Sequence, residues 1–198
     1  LATVYLLTRR YAEAEPLFRE ALDGFRGRFG AGHFETLTAT NDLAVVYLET
    51  RRYDKAEPLF RDALAAARAD PGERHPLTLK LMNGLAMLSF LRGRRDEAGR
   101  LFEQVLAARR ATLPAGHPDT LLSAHNLGVH YRGVGRDGDA EPLFREAVAG
   151  AREHLPAGHP YTLRFLGSLA ALLDARGDTA EADGLRKELE ERKAGRKK

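Results

Sequence analysis

The chain has 198 residues, 43% of them hydrophobic, with 31 basic and 28 acidic side chains and no cysteine. A net charge of +3 is nearly balanced and does not mark a nucleic-acid binder, and the lack of cysteine excludes disulfide staples and thiolate metal sites. No apolar run approaches the ~18 residues of a membrane span and no signal peptide opens the chain, which together fit a reducing, cytoplasmic compartment.

One spacing organises the sequence. A His stands three residues before a Thr-Leu pair at His33, His75, His117 and His159, each 42 residues after the last. Leu1, Leu43, Leu85, Leu127 and Leu169 keep the same step, as do Ala14, Ala56, Ala98, Ala140 and Ala182. So do Phe18, Phe60, Phe102 and Phe144, followed by Leu22, Leu64, Leu106 and Val148. A period of this size without insertions marks a repeat solenoid, whose units bury their apolar faces only by stacking on one another.

In chain order, Leu1 falls in the middle of a first helix, so the chain is expected to be a fragment or to lack its upstream part. A second helix carries Ala14, Phe18 and Leu22. The pattern then repeats as helix, tight turn, helix and loop. In the third unit Leu81, Met82, Leu85 and Leu88 recur at three and four residues. A polar break follows at Arg92-Gly93-Arg94-Arg95-Asp96, and a second helical run covers Ala98, Leu101, Phe102, Val105 and Leu106. Gly93, Gly135 and Gly177 occupy equivalent breaks, where a helix C-terminus favours Gly, and Arg9 and Arg51 take that place earlier. Pro76, Pro118 and Pro160 each open a helix, where a missing N–H costs little. Pro16, Pro58 and Pro142 fall in the second helices, at positions expected to lie near enough to the start to be tolerated. Glu15/Arg19, Glu57/Arg61 and Glu141/Arg145 are i,i+4 pairs worth a few tenths of a kcal/mol each, on a solvated outer face.

The expected architecture is all-α, ten helices in antiparallel pairs with the first truncated. The units run 1–36, 37–78, 79–120, 121–162 and a capping unit 163–192, with a basic tail over 193–198. In the last unit the Phe column becomes Arg186 and the Leu column Glu190, which suits a terminal cap facing water.

These units resemble the tetratricopeptide repeat, on Leu43-Ala44, Tyr47, Tyr53, Ala56, Phe60 and Ala63. The 42-residue length resembles the kinesin-light-chain type, as do His75-Pro76 with Thr78-Leu79, Asn41-Asp42-Leu43-Ala44 and Ala140-Glu141-Pro142-Leu143. The resemblance implies a right-handed superhelix whose first helices line a concave groove that binds peptide or protein.

Several motifs read as chemistry and are better read as structure. Successive helices pack ~8–10 Å apart while zinc–nitrogen bonds are ~2 Å, so the four periodic His are expected to serve loop–helix junctions rather than a metal. Gly133-Val-Gly-Arg-Asp-Gly138 spells the dinucleotide fingerprint but follows a helix, not a strand. Ser89, Ser123 and Ser168 lie in no nucleophile-elbow pattern. No enzyme, metal or cofactor is expected.

The remaining surface is the groove face of the first helices, where i, i+3, i+7 and i+10 share a side. Its rungs are Thr38, Asn41, Val45, Leu48; Lys80, Asn83, Met87, Phe90; Leu122, His125, Val129, Arg132; and Arg164, Gly167, Ala171, Asp174. Asn41 and Asn83 can hold a peptide backbone, and the resemblance implies that role near these positions. His125-Asn126 and Gly167-Ser168 depart from the family's Asn-Asn. Met87, Phe90 and Val129 are expected to be exposed without core duty. The expected function is a non-enzymatic peptide-binding scaffold, and the alternative is a sensor or self-association arm of a larger ATPase-type signalling protein with an upstream domain. The expected partner is an extended segment with one apolar anchor flanked by acids, drawn to Lys80, Arg132 and Arg164. Membrane and nucleic acid are not expected partners.

Overall fold

Apolar residues spaced at three and four wind into helices, and the polar breaks between them turn the chain back. The computed structural model describes residues 1–195. Among them are ten helices and no strand: α1 Ala2–Leu7, α2 Tyr11–Phe29, α3 Phe34–Glu49, α4 Tyr53–Ala69, α5 Pro76–Leu91, α6 Arg95–Thr112, α7 Pro118–Gly133, α8 Asp137–His154, α9 Pro160–Arg176 and α10 Thr179–Gly195. None of these helices is long and apolar enough to cross a membrane.

The chain divides into two compact units, residues 1–101 and 102–198. In the first, α2 packs on α3, α3 on α4 and α4 on α5, while α3 also touches α5. In the second, α7 packs on α8, α8 on α9 and α9 on α10, while α7 also touches α9. Within each unit the first helices of successive repeats therefore form one layer and the second helices another. The Phe column fills the space between layers: Phe60 and Phe144 are wholly buried, each lying against a glycine of the first-helix layer. A Cβ on Gly84 would come within 2.4 Å of the Phe60 ring, and one on Gly128 within 2.7 Å of Phe144.

The expected junctions take concrete form. All four periodic His residues are N-caps. At His75, His117 and His159 the imidazole Nδ1 accepts the backbone N–H two residues on, at 3.2, 3.1 and 3.2 Å. This satisfies one of the N–H groups a helix start leaves without partners. His33 makes no such bond; it pairs with Glu35 at 2.6 Å and stacks on Phe29. His117→Ala is therefore expected to lower stability by ~0.5–2 kcal/mol, with Ser restoring most of it, whereas His33→Ala should cost less. Thermal melts of the variants check this, and equal losses at both sites would contradict the capping role.

At the tight turns Gly93, Gly135 and Gly177 have φ of 78°, 77° and 87°, and Arg9 and Arg51 adopt the same left-handed conformation at 59° and 58°. Those two carry a strain that the glycines avoid. The second-helix prolines require a correction. Pro16, Pro58 and Pro142 are each the sixth residue of their helix, beyond the donors that lack partners, since Ala14, Ala56 and Ala140 already donate to the cap carbonyls. Each proline thus removes a bond to the carbonyl four residues back. The residues involved are Ala12, Asp54 and Gly138, which are exposed like the prolines themselves, so water can take the acceptor's place.

The i,i+4 pairs close at 2.8, 2.9 and 2.8 Å, and they also reach across repeats. Arg52 meets Glu15 at 2.6 Å, Arg61 meets Glu97 at 2.8 Å and Arg145 meets Glu181 at 2.6 Å. Burial pushes the Glu57 carboxyl up, but hydrogen bonds from Arg61 and Arg94 outweigh it and hold the group below its ordinary value. Arg186 and Glu190 are exposed; Arg186 pairs with Asp174 and Asp183, and Glu190 with Lys193. The first three residues of the expected basic tail, 193–195, continue α10, while Arg196, Lys197 and Lys198 lie outside the described residues.

Candidate functional site

Helix geometry decides which groove candidates can meet a ligand. At 100° per residue, i and i+7 lie about 20° apart, while i+3 and i+10 swing about 60–80° to one side. The burial follows that split most clearly in α3. In α3, Thr38 and Val45 are half-buried, whereas Asn41 is 1% and Leu48 8% exposed. In α5, Lys80 is exposed and Met87 half-buried, with Asn83 and Phe90 also half-buried. In α7, Leu122, Val129 and Arg132 are half-buried and His125 is 4% exposed. In α9, Arg164 and Ala171 are exposed, and Gly167 and Asp174 half-buried.

Three expectations are thereby corrected. Asn41, Leu48 and His125 are buried, on the side of their helices that turns away from the open face. Asn41 spends its amide on Asp42 Oδ1 at 3.0 Å. His125 lies between the Phe144 and Phe165 rings, with centroids 5.5 and 4.9 Å away, and shares a 2.9 Å hydrogen bond with Ser168. Met87, Phe90 and Val129 are half-buried rather than exposed; Val129 packs against the core of the second unit, and the Arg95 guanidinium sits 4.4 Å over the Phe90 ring.

The same geometry adds a residue that the four-member rungs left out. Position i+11 returns to within about 20° of i. In α5 that is Leu91, an exposed large hydrophobic, and in α3 it is Glu49, also exposed. The open face of the first unit is thus Thr38, Val45 and Glu49 on α3, with Lys80, Met87 and Leu91 on α5. That of the second unit is Leu122 and Val129 on α7, with Arg164 and Ala171 on α9.

The charges differ in availability. Lys80 meets Asp42 at 3.2 Å but keeps half its side chain in solvent. Arg132 donates to the Ala171 carbonyl at 3.0 Å, Asp174 is held by Arg186, and Glu49 accepts from the Tyr11 hydroxyl at 3.1 Å. Arg164 is exposed and forms no ion pair among the described residues.

The remaining chemical motifs resolve locally. Gly133–Gly138 joins α7 to α8, so no strand delivers a dinucleotide to it. Ser89 donates to Glu97 at 2.8 Å, and Ser123 donates to the Asp119 carbonyl at 2.9 Å. Ser168 and His125 have the separation of a nucleophile and its base, but burial lowers the imidazole pKa to about 4, a weak base at neutral pH. Among the described residues no carboxylate bonds the other ring nitrogen. The buried Arg109 is a feature that periodicity did not flag. It stands where Ala67 and Ala151 stand in neighbouring repeats, and it donates to the Asp119 carbonyl at 2.9 Å and to Ser123 Oγ at 2.7 Å.

Comparison with solved structures shows the same fold in kinesin-light-chain-like proteins. A putative kinesin light chain from Podosopora anserina with nearly identical TPR-like repeats is 27% identical, with a TM-score of 0.75 over 98% of this chain and 92% of that one. BtubC (BKLC) from P. vanneervenii is 20% identical, with a TM-score of 0.79 over 100% of this chain and 78% of that one. A Rap protein complexed with Competence and Sporulation Factor is 14% identical, with a TM-score of 0.85 over 98% of this chain and 52% of that one. A comparison with curated protein sequences found no match. The family model for the tetratricopeptide repeat matches residues 1–69, 39–111 and 77–153, and the chain belongs to that family, whose repeats generally serve as protein-interaction scaffolds.

Proposed function

We propose that the chain binds extended peptide segments of a partner protein along the open face of its first helices. The observation that carries this reading is the row on α5. Leu91 is 47% exposed and lies on the same face as half-buried Met87 and as Lys80, which keeps half its side chain in solvent beside Asp42. A bulky apolar anchor on the partner would bury against Leu91, Met87 and Val45 and supply most of the affinity. Acidic residues flanking the anchor would be oriented by Lys80, with a share that shrinks as salt rises. The half-buried Asn83 sits at the edge of this face. The fold also supports the reading, since the Rap protein of the same fold is complexed with Competence and Sporulation Factor.

A peptide array probed with the purified chain tests this. Peptides with one large apolar residue between Asp or Glu are expected to bind, and Leu91→Ala combined with Lys80→Glu is expected to weaken them by tenfold or more. A preference for basic peptides, or binding indifferent to that double substitution, would rule out this face.

A further inference from the structure

A second feature lies at the turn between α3 and α4, and it does not depend on the peptide-binding reading. Arg51, Arg52, Tyr53, Asp54 and Lys55, with Arg92 from the end of α5, line a depression of about 430 Å³ in the first unit. Four of its six residues are cations and one is an acid. The equivalent positions one repeat earlier, 9–13 and 50, hold two cations and one acid. Those of the next two repeats, 93–97 with 134 and 135–139 with 176, hold two of each.

The imbalance comes from identifiable substitutions. Position 55 is Lys, but its equivalents are Glu13, Glu97, Asp139 and Glu181. Glu13, Glu97 and Asp139 each accept a hydrogen bond from the Arg three residues before, at 2.9, 2.8 and 2.8 Å. Lys55 cannot, so Arg52 turns instead to Glu15 at 2.6 Å and Thr50 at 3.0 Å. Arg92 is held by Asp54 at 2.8 Å and Glu57 at 3.0 Å. Among the described residues neither Arg51 nor Lys55 has an ion pair. Arg51 occupies a left-handed position where three other repeats have Gly, so a free guanidinium is kept there against the backbone's preference.

We propose that this depression binds a phosphate dianion, either free phosphate or a phosphomonoester on a partner. Two unpaired cations match its charge of about −1.5 to −2 at neutral pH, whereas a carboxylate would neutralise only one. The Arg51 guanidinium can grip two phosphate oxygens at once and the Lys55 ammonium can meet a third. Arg52 and Arg92, fixed and charge-compensated by their carboxylates, form the rest of the wall and leave the net positive charge to Arg51 and Lys55.

Amide shifts of residues 51–55 in proton–nitrogen spectra of the whole chain read the binding directly. The probes are inorganic phosphate, a phosphoserine peptide with uncharged flanks, its unphosphorylated twin, and a thymidine oligonucleotide. Both phosphate probes should bind, the twin should not, and the better of the two phosphate probes identifies the source. Lys55→Glu, which restores the charge found in the other repeats, and Arg51→Gly should each weaken binding tenfold or more. Arg9→Gly relieves the same backbone strain one repeat earlier and should leave binding unchanged. The spectra of the variants themselves report that the fold is kept. Equal binding of the twin, full affinity in Lys55→Glu, or an oligonucleotide binding more tightly than either phosphate probe would overturn the proposal.

Discussion

Phe60→Ala is expected to lower stability by ~3–5 kcal/mol, a large share of the ~5–15 kcal/mol that holds a domain together. Phe60 is wholly buried on α4, with buried Ala56, Ala63 and Leu64 on the same helix face, and its ring fills the space that Gly84 leaves open on α5. None of the small neighbours can extend into the hole, so the cavity persists instead of collapsing. Denaturant titration of the whole chain measures the effect, and Phe60→Leu gives a milder second point should the Ala variant fail to fold. Asn83→Ala, at a half-buried position on the edge of the open face, is expected to cost about 1 kcal/mol or less. Equal losses at the two positions would mean that the layers have been assigned the wrong way round. The complementary change, Gly84→Ala, gains helix propensity but drives a Cβ into a ring that has nowhere to go, and should destabilise by ~1–3 kcal/mol.

The fold was legible because a 42-residue period multiplies weak signals. One Phe or Gly says little, whereas Phe18, Phe60, Phe102 and Phe144 in register fix the layer boundary. The same averaging hid what is particular to one repeat. Arg109 looks like any surface arginine at a helical spacing, yet it is buried in a column where its neighbours are alanine. Lys55 looks like part of a solvated charge run until its column is seen to be acidic everywhere else. The open face of the first helices was only partly legible. The i, i+3, i+7, i+10 rule names a stripe about 80° wide, and the contacts of α3 with α5 and of α7 with α9 leave only part of that stripe open. Asn41, Leu48 and His125 fell on the closed side, while Leu91, one turn beyond the rung, fell on the open one.

His125 supplies the other large effect, and it depends on pH. Burial lowers its pKa to about 4, with the Arg164 charge adding to the same direction and a side-chain hydrogen bond with Asn126 opposing it. In the unfolded chain the imidazole titrates near 6.5. Between those values the unfolded state takes the proton and the folded state does not, so stability is full above ~6.5 and falls as pH drops through that window. At 1.36 kcal/mol per pH unit, the loss between pH 6.5 and pH 5 amounts to about 2 kcal/mol. The carboxylates held by arginine contribute little between pH 7.5 and pH 5, because their ordinary values lie below that interval. Denaturant titrations at pH 7.5 and pH 5 on the native chain and on His125→Asn isolate the effect, Asn being the residue at the equivalent positions 41 and 83. The native chain should lose about 2 kcal/mol more than the variant over that interval. Parallel losses would mean that the folded chain accommodates the charged ring, and that Phe144 and Phe165 do not close around it as tightly as 5.5 and 4.9 Å centroid separations imply.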